Sequence, residues 1–178
     1  MAIKAQRDRL RAAKQGRTPA DIQAGRLTPS PSCASSLQAV LRPATKEDVP
    51  ALVELERASF PVPNWPADTF LRYDCTVAEV SGEVGGFLVS RQIFAGNTTE
   101  PAEREILNLA VNPRHRRSGI ATSLIQLELR KKAVFTLEVR ESNLAARSLY
   151  QRVGFVEILR RTEYYNNPTE TAIVMRMK

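Results

Sequence analysis

The sequence predicts an α/β or α+β fold, a sheet sandwiched by helices. Two observations carry this. Short apolar runs of strand length are mixed along the chain with segments of helical spacing. Turns rich in glycine, proline and asparagine separate them, and no internal repeat is visible. The 178 residues suit one domain plus an appendage.

The elements follow in order. Residues 39–42 read as a first strand, ended at Pro43-Ala44-Thr45. Thr45 is placed as an N-cap with Asp48 three residues on, a variant of the capping box that normally uses Glu or Gln. Val49, Leu52, Val53 and Leu55 then fall at helical spacing. Pro61-Val62-Pro63-Asn64-Trp65-Pro66 is a rigid aromatic loop, and residues 67–73 form a short helix. Residues 76–80 and 84–93 read as a hairpin around Ser81-Gly82-Glu83, followed by a loop over 96–101. Residues 106–111, near-continuously apolar, read as a buried strand closed by Asn112-Pro113. Helical spacing resumes over 120–131, and a strand follows over 134–139. Residues 144–152 form a helix that Gly154 stops, and 155–159 and 171–177 are strands.

Composition narrows the class. It is ordinary for a soluble globular protein. No apolar stretch approaches the roughly 20 residues needed to span a bilayer, so no membrane partner is expected. Cys33 and Cys75 lie far apart and suggest neither a disulfide framework nor a metal knuckle. A reducing compartment fits, and the cytoplasm is the expected location. His115, the single histidine, cannot make a His-based metal site by itself; it is expected as a solvated turn residue, and no metal is expected.

The charge of +7 is uneven. Residues 1–37 hold seven basic and two acidic side chains, which leaves +2 for residues 38–178. Thr28-Pro29-Ser30-Pro31-Ser32 is a linker composition. The segment offers too little apolar surface to offset its ordering entropy, so residues 1–37 are expected to be a disordered basic arm ahead of a domain at 38–178. Three roles stay open for it: a dispensable extension, a contact with nucleic acid or the ribosome, and an organelle transit peptide. Asp8, Asp21 and weak amphipathicity count against the last.

Arg116-Arg117-Ser118-Gly119-Ile120-Ala121 carries the first functional signal. It joins an apolar strand to a helix start. Free N–H groups of a helix's first turn and the helix dipole favour an anion there. Glycine lets backbone approach closely, and arginine adds charge-assisted hydrogen bonds. Neither GxxxxGK[ST] nor GxGxxG after a strand is present. The turn points to a phosphorylated cofactor; a solvated basic surface is the plain alternative.

The second signal is Leu137-Glu138-Val139-Arg140-Glu141-Ser142-Asn143, followed by Ser148-Leu149-Tyr150-Gln151-Arg152-Val153-Gly154-Phe155. A glutamate in an apolar strand is costly unless solvated or paired. Asn143 opens a helix, and Tyr150 lies two turns on, about 10 Å along the axis on the same face. A carboxylate, an amide and a phenol are thus expected to converge near the phosphate turn. Each has a plainer reading: Glu138 paired with Arg140 or a neighbouring strand, Asn143 as a cap, Tyr150 as a core aromatic.

Arg-x-x-Gly-x-Ala resembles the pyrophosphate motif (Q/R)-x-x-G-x-(G/A) of the GCN5-related N-acetyltransferases, the GNAT family. Asn108-Leu109-Ala110-Val111-Asn112-Pro113, the stretch around Glu138, and Leu149-Tyr150 with Gly154-Phe155 extend the likeness. Arg160-Arg161-Thr162-Glu163-Tyr164-Tyr165 and Ala172-Ile173-Val174-Met175 extend it further. Over residues 40–178 the chain looks like the RimI-type ribosomal-protein-alanine branch. That resemblance implies a central mixed, mostly antiparallel sheet flanked by helices, and acetyl-CoA as cosubstrate without a metal. It implies Glu138 as general base and Tyr150 as general acid. It places Leu109, Ala110 and Val111 against the acetyl and pantetheine groups, and Asn143 against the coenzyme. Arg116, Arg117, Ser118, Gly119, Ile120, Ala121 and Thr122 would hold the pyrophosphate.

The implied reaction is direct acetyl transfer to the N-terminal α-amine, of the alanine type, of a ribosomal or other protein. A small-molecule amine or lysine acetyltransferase is the alternative of the same fold. A basic RNA- or ribosome-binding module is the alternative of another class. Three departures from the family pattern matter. Ala121 replaces the more frequent glycine. Arg130-Lys131-Lys132-Ala133 lacks the usual glycine, so the helix is expected to end a turn early. The loop at 61–66 is long and proline-rich, and is expected to line the acceptor pocket. Cys75 is not needed as a nucleophile, since no histidine is matched to activate it.

Overall fold

Turn chemistry sets the course of the chain. This computed structural model describes residues 39–60 and 65–178. The expected basic arm at 1–37, Cys33 within it, and residues 61–64 of the proline-rich loop lie outside the described residues. Seven strands form one sheet: β1 (Val40–Pro43), β2 (Asp74–Val80), β3 (Glu83–Phe94), β4 (Glu103–Val111), β5 (Val134–Arg140), β6 (Val156–Tyr165) and β7 (Glu170–Met177). Among the described residues three α-helices accompany them: α1 (Val49–Ser59), α2 (Ile120–Leu129) and α3 (Leu144–Arg152). The strand order is β1-β2-β3-β4-β5-β7-β6. Only β4 and β5 run parallel, which gives the mixed, mostly antiparallel sheet flanked by helices that the resemblance implied.

The local reasons are legible. Ser81 and Gly82 both take positive φ, 53° and 83°, the twist that closes a tight hairpin between β2 and β3. The Thr45 N–H donates to Asp48 Oδ2 at 2.8 Å, one arm of the expected capping box, at a 3-10 turn (Lys46–Asp48) that leads into α1. Gly154, at φ +105°, ends α3 in a conformation that side chains rarely adopt. The expected short helix at 67–73 is a 3-10 segment, Ala67–Arg72. No helix among the described residues is long and apolar enough to cross a membrane.

Two elements differ from expectation at their ends. β4 begins at Glu103, three residues before the apolar run, because Arg104 is buried on Glu128 rather than exposed. β6 continues past 159 to Tyr165, although every residue up to Tyr164 is exposed. Polarity hid that half, since an edge strand needs no buried face. α2 does stop early, at Leu129, and Lys132 turns the chain with φ 50° where a glycine is usual.

The core has two parts. Leu124 and Ile125 of α2 and Tyr150 of α3 pack with Leu88, Phe135, Leu137 and Ile173 of the sheet. Leu52 and Leu55 of α1 pack with Phe70, Val77, Phe87 and Val89. Burial of these apolar side chains fixes the helices to the sheet, at about 25 cal/mol for each Å² removed from water.

Candidate active site

The site begins where two parallel strands separate. β4 and β5 pair from Glu103↔Val134 to Ile106↔Leu137 and no further. Beyond that point β4 continues to Val111 against β3, and β5 continues to Arg140 against β7. The edge of β4 that faces β5 therefore carries backbone polar groups without a ladder partner from Leu107 onward. Such groups need partners from a ligand or solvent.

A cavity of about 540 Å³ opens on one side. It is lined by Leu109, Ala110 and Val111, by Arg116, Arg117 and Gly119, by Ile120, Ala121 and Thr122, and by Asn143 and Tyr150. Ser118 is the one expected coenzyme residue that does not line it. Its hydroxyl donates to the His115 carbonyl at 2.5 Å and shapes the turn. Arg117 (φ 65°) and Gly119 (φ 88°) both adopt left-handed backbone, which folds the turn back on the start of α2. A Cβ on Gly119 would meet no protein atom within 4 Å, so the space in front of it is open. Among the described residues three arginines, Arg116, Arg117 and Arg152, line the cavity and no carboxylate does. A helix start, cationic walls and an open strand edge fit an elongated anion with amide groups, the shape of a coenzyme's pyrophosphate and pantetheine.

The sequence-based reading missed Arg152, Ser59 and Phe60 in this lining. Arg152 falls at the C-terminal end of α3, close in space but unmarked by any motif. His115 corrects an expectation. It is half-buried against Gly85, with Nδ1 covered and without a hydrogen-bond partner, and is not a solvated turn residue.

Asn143 and Tyr150 serve structure as well as lining the cavity. Asn143 Oδ1 accepts from the Ala146 N–H at 3.1 Å and caps α3. Tyr150 stacks edge-on against Phe155, with centroids 5.8 Å apart, and burial pushes its phenol above the ordinary range. Cys75 is buried, and desolvation pushes its thiol up to about 12, so it holds no thiolate for attack.

Glu138 lines a second cleft, of about 640 Å³, with Arg91, Glu105, Arg140, Tyr164 and Tyr165. Its partner is Arg161 on β6, whose Nη1 donates to Oε1 at 2.5 Å, and not Arg140. Arg140 instead pairs with Glu170 at 3.1 Å and lies under the Tyr165 ring, 4.3 Å from its centroid. The Tyr164 hydroxyl is raised above its ordinary range first by the neighbouring Glu138 carboxylate and then by burial. Tyr165 is pushed up to about 12, chiefly by burial. Both tyrosines stay protonated at neutral pH. Among the described residues no group of His, Cys, Asp or Glu is placed to hold a metal ion.

Comparison with known proteins defines the class. The profile of the acetyltransferase (GNAT) family matches residues 46–155. The chain is 31% identical over 142 residues to the [ribosomal protein bS18]-alanine N-acetyltransferase of Escherichia coli K12, covering 73% of this chain and 90% of that one. The crystal structure of the ribosomal-protein-S18-alanine N-acetyltransferase from Escherichia coli superposes with a TM-score of 0.67 at 29% identity, over 79% and 93% of the two chains. The structure of Arabidopsis thaliana NAA60 in complex with acetyl-CoA gives a TM-score of 0.71 over 79% and 99%, and at 20% identity it shows the fold. The chain belongs to the GNAT family of acetyltransferases.

Proposed function

We propose that this protein transfers the acetyl group of acetyl-CoA to the N-terminal α-amine of a protein, with an alanine-type terminus of a ribosomal protein as the first acceptor to test. One observation carries the reading. Past the point where β4 and β5 stop pairing, β4 residues 109–111 line an arginine-walled cavity, while β4 residues 105–107 and Glu138 of β5 line a separate cleft. The acceptor specified by the Escherichia coli relative supports the choice of α-amine.

The chemistry follows from the groups present. An α-amine has an unperturbed pKa of about 7.7–8.0 and is largely protonated near neutrality. Glu138 takes its proton, directly or through one water. The amine nitrogen then attacks the thioester carbonyl. A free N–H on the open edge of β4, in the stretch Leu109–Val111, stabilises the oxygen as charge develops. The C–N bond forms and the C–S bond breaks, and the nitrogen's second proton passes through water to the departing thiolate, giving the amide and the free coenzyme thiol.

Tyr150 faces the departing sulfur in this scheme. Its phenol lies above its ordinary range, whereas thiols lie near about 8.5. Full proton transfer is therefore uphill, and Tyr150 acts first as a hydrogen-bond donor to the thiolate. Arg116, Arg117 and the α2 start hold the pyrophosphate, and Asn143 flanks the chain of the coenzyme. Lysine, with a pKa of about 10.4, is harder to deprotonate, which favours the α-amine over the lysine alternative.

The test is coenzyme release with acetyl-CoA and three acceptors: a free N-terminal alanine peptide, its blocked lysine-containing counterpart, and polyamines. Turnover is expected only with the free α-amine. Glu138→Gln and Tyr150→Phe should each lower kcat by about 10²-fold or more. Turnover with polyamines or the blocked peptide would overturn the acceptor; none with any acceptor, and no coenzyme binding, would overturn the activity.

A further inference from the structure

The carboxylate assigned as base is already occupied. Arg161 Nη1 donates to Glu138 Oε1 at 2.5 Å, and Tyr164 lines the cleft beside the same carboxylate. The guanidinium carbon lies 5.5 Å from the Tyr164 ring centroid. The two arginines that line the cleft are committed elsewhere. Arg91 pairs with Glu105 at 2.6 Å. Arg140 binds Glu170 and also donates to the carbonyls of Asn166 and Pro168.

Arg161 holds its carboxylate through one nitrogen, where Arg91 uses both Nε and Nη2 on Glu105. Among the described residues its one carboxylate partner is Glu138. Its side chain is 47% exposed, on a strand at the end of the sheet. It does not itself line the cleft but reaches Glu138 from beside it, held by that one hydrogen bond and the face of the Tyr164 ring. A half-exposed ion pair of this kind is weak and easily exchanged.

Resting on the reading of Glu138 as base, we propose that Arg161 is a positioning residue that occupies the Glu138 carboxylate in the free enzyme and yields it to the acceptor amine. A carboxylate offers about four lone-pair sites, and the guanidinium claims one and supplies the compensating charge that an ammonium would bring. An incoming α-ammonium brings its own charge and can replace the guanidinium without leaving Glu138 uncompensated. The displaced guanidinium keeps the face of the Tyr164 ring. Water carries no charge to exchange, so Glu138 stays occupied when no amine is bound. Arg161 thereby discriminates against hydrolysis, in which water would attack the thioester to give acetate and free coenzyme.

The experiment compares wild type, Arg161→Met, Arg161→Lys and Glu138→Gln. It reads acceptor KM, acetyl-CoA KM, and coenzyme release without acceptor. In Arg161→Met, acceptor KM should fall about two- to fivefold, the range of a partly exposed ion pair. Its acetyl-CoA KM should hold, and its acceptor-free release should rise. Arg161→Lys should resemble wild type. An acceptor KM that is unchanged or raised in Arg161→Met, while Glu138→Gln is inactive, overturns this inference alone. Full turnover in Glu138→Gln overturns the base assignment, and the inference with it. If Arg161→Met does not fold by circular dichroism, Arg161→Gln carries the same comparison.

Discussion

Asp48 does at the scale of one residue what a longer motif does elsewhere. Its carboxylate accepts from Arg42 at 2.7 and 2.9 Å and from the Thr45 N–H at 2.8 Å. Strand β1 and the entry to α1 therefore share one anion. Hydrogen bonds from Arg42 lead in holding Asp48 down to about 2, with the Thr45 N–H adding to them against the opposing effect of burial. The folded value lies below the unfolded one, so its stabilisation is complete above about pH 4. It is lost as pH falls from there toward about 2. Asp48→Asn should cost about 1–3 kcal/mol at pH 7, since Arg42 keeps Glu79 at 2.9 Å as a second partner. The difference from wild type should shrink through that acid window in urea titrations. A constant difference from pH 7 to pH 2 would remove Asp48 as its source. The sequence exposed this residue through the spacing Thr45-x-x-Asp48, a local signal. Arg161 gave none, because its partnership with Glu138 spans 23 positions and appears only when β6, β7 and β5 lie side by side.

At the scale of elements, the sheet holds α2 by a polar anchor. Glu128, 3% exposed, accepts from Arg104 Nε at 2.9 Å and from Ser90 Oγ at 2.7 Å. Lys131 bridges Glu128 and Asp74 at 2.9 and 3.0 Å, and Arg104 also pairs with Asp74. The C-terminal end of α2 is thus tied to β2, β3 and β4. Glu128→Ala leaves Arg104 Nε without its acceptor while Asp74 and Ser90 still hold Nη2, so it should cost about 1–3 kcal/mol by urea unfolding. The double variant Arg104→Met with Glu128→Leu should recover most of that loss. An equal loss in the double variant would mean that packing volume, not charge, is what the site requires. This anchor also explains what pattern reading could not see. α3 and the hairpin were legible because their caps and turns are local. The start of β4 was not, since a charged residue reads as surface until its buried partner, 24 residues on, is in place.

At the scale of the whole molecule, β4 contributes neighbouring stretches to both clefts, 105–107 to one and 109–111 to the other, and a ligand should reveal which is which. The sequence placed Leu109 to Val111, the Arg116–Thr122 turn, Asn143 and Tyr150 together, and the structure lines one cavity with all of them except Ser118. It did not separate Glu138 from them, because which side of an opened strand pair a side chain serves depends on tertiary splay. Acetyl-CoA at about 100 times its Kd should stabilise the protein by about 2.7 kcal/mol. For a domain of this size that corresponds to a rise in Tm of roughly 5–10 °C. The rise should largely vanish in a variant with Arg116→Ala and Arg117→Ala, which removes cationic walls but no core contact. Hydrogen exchange should slow at amides of Leu109–Val111, of the first turn of α2 and of the first turn of α3. The β6–β7 hairpin around Tyr164 should be unaffected by coenzyme alone and slow only when an acceptor peptide is added. Slowing at Tyr164 and Tyr165 with coenzyme alone would exchange the roles of the clefts. Glu138 would then lie on the coenzyme side, where it could not serve as the base for an incoming amine.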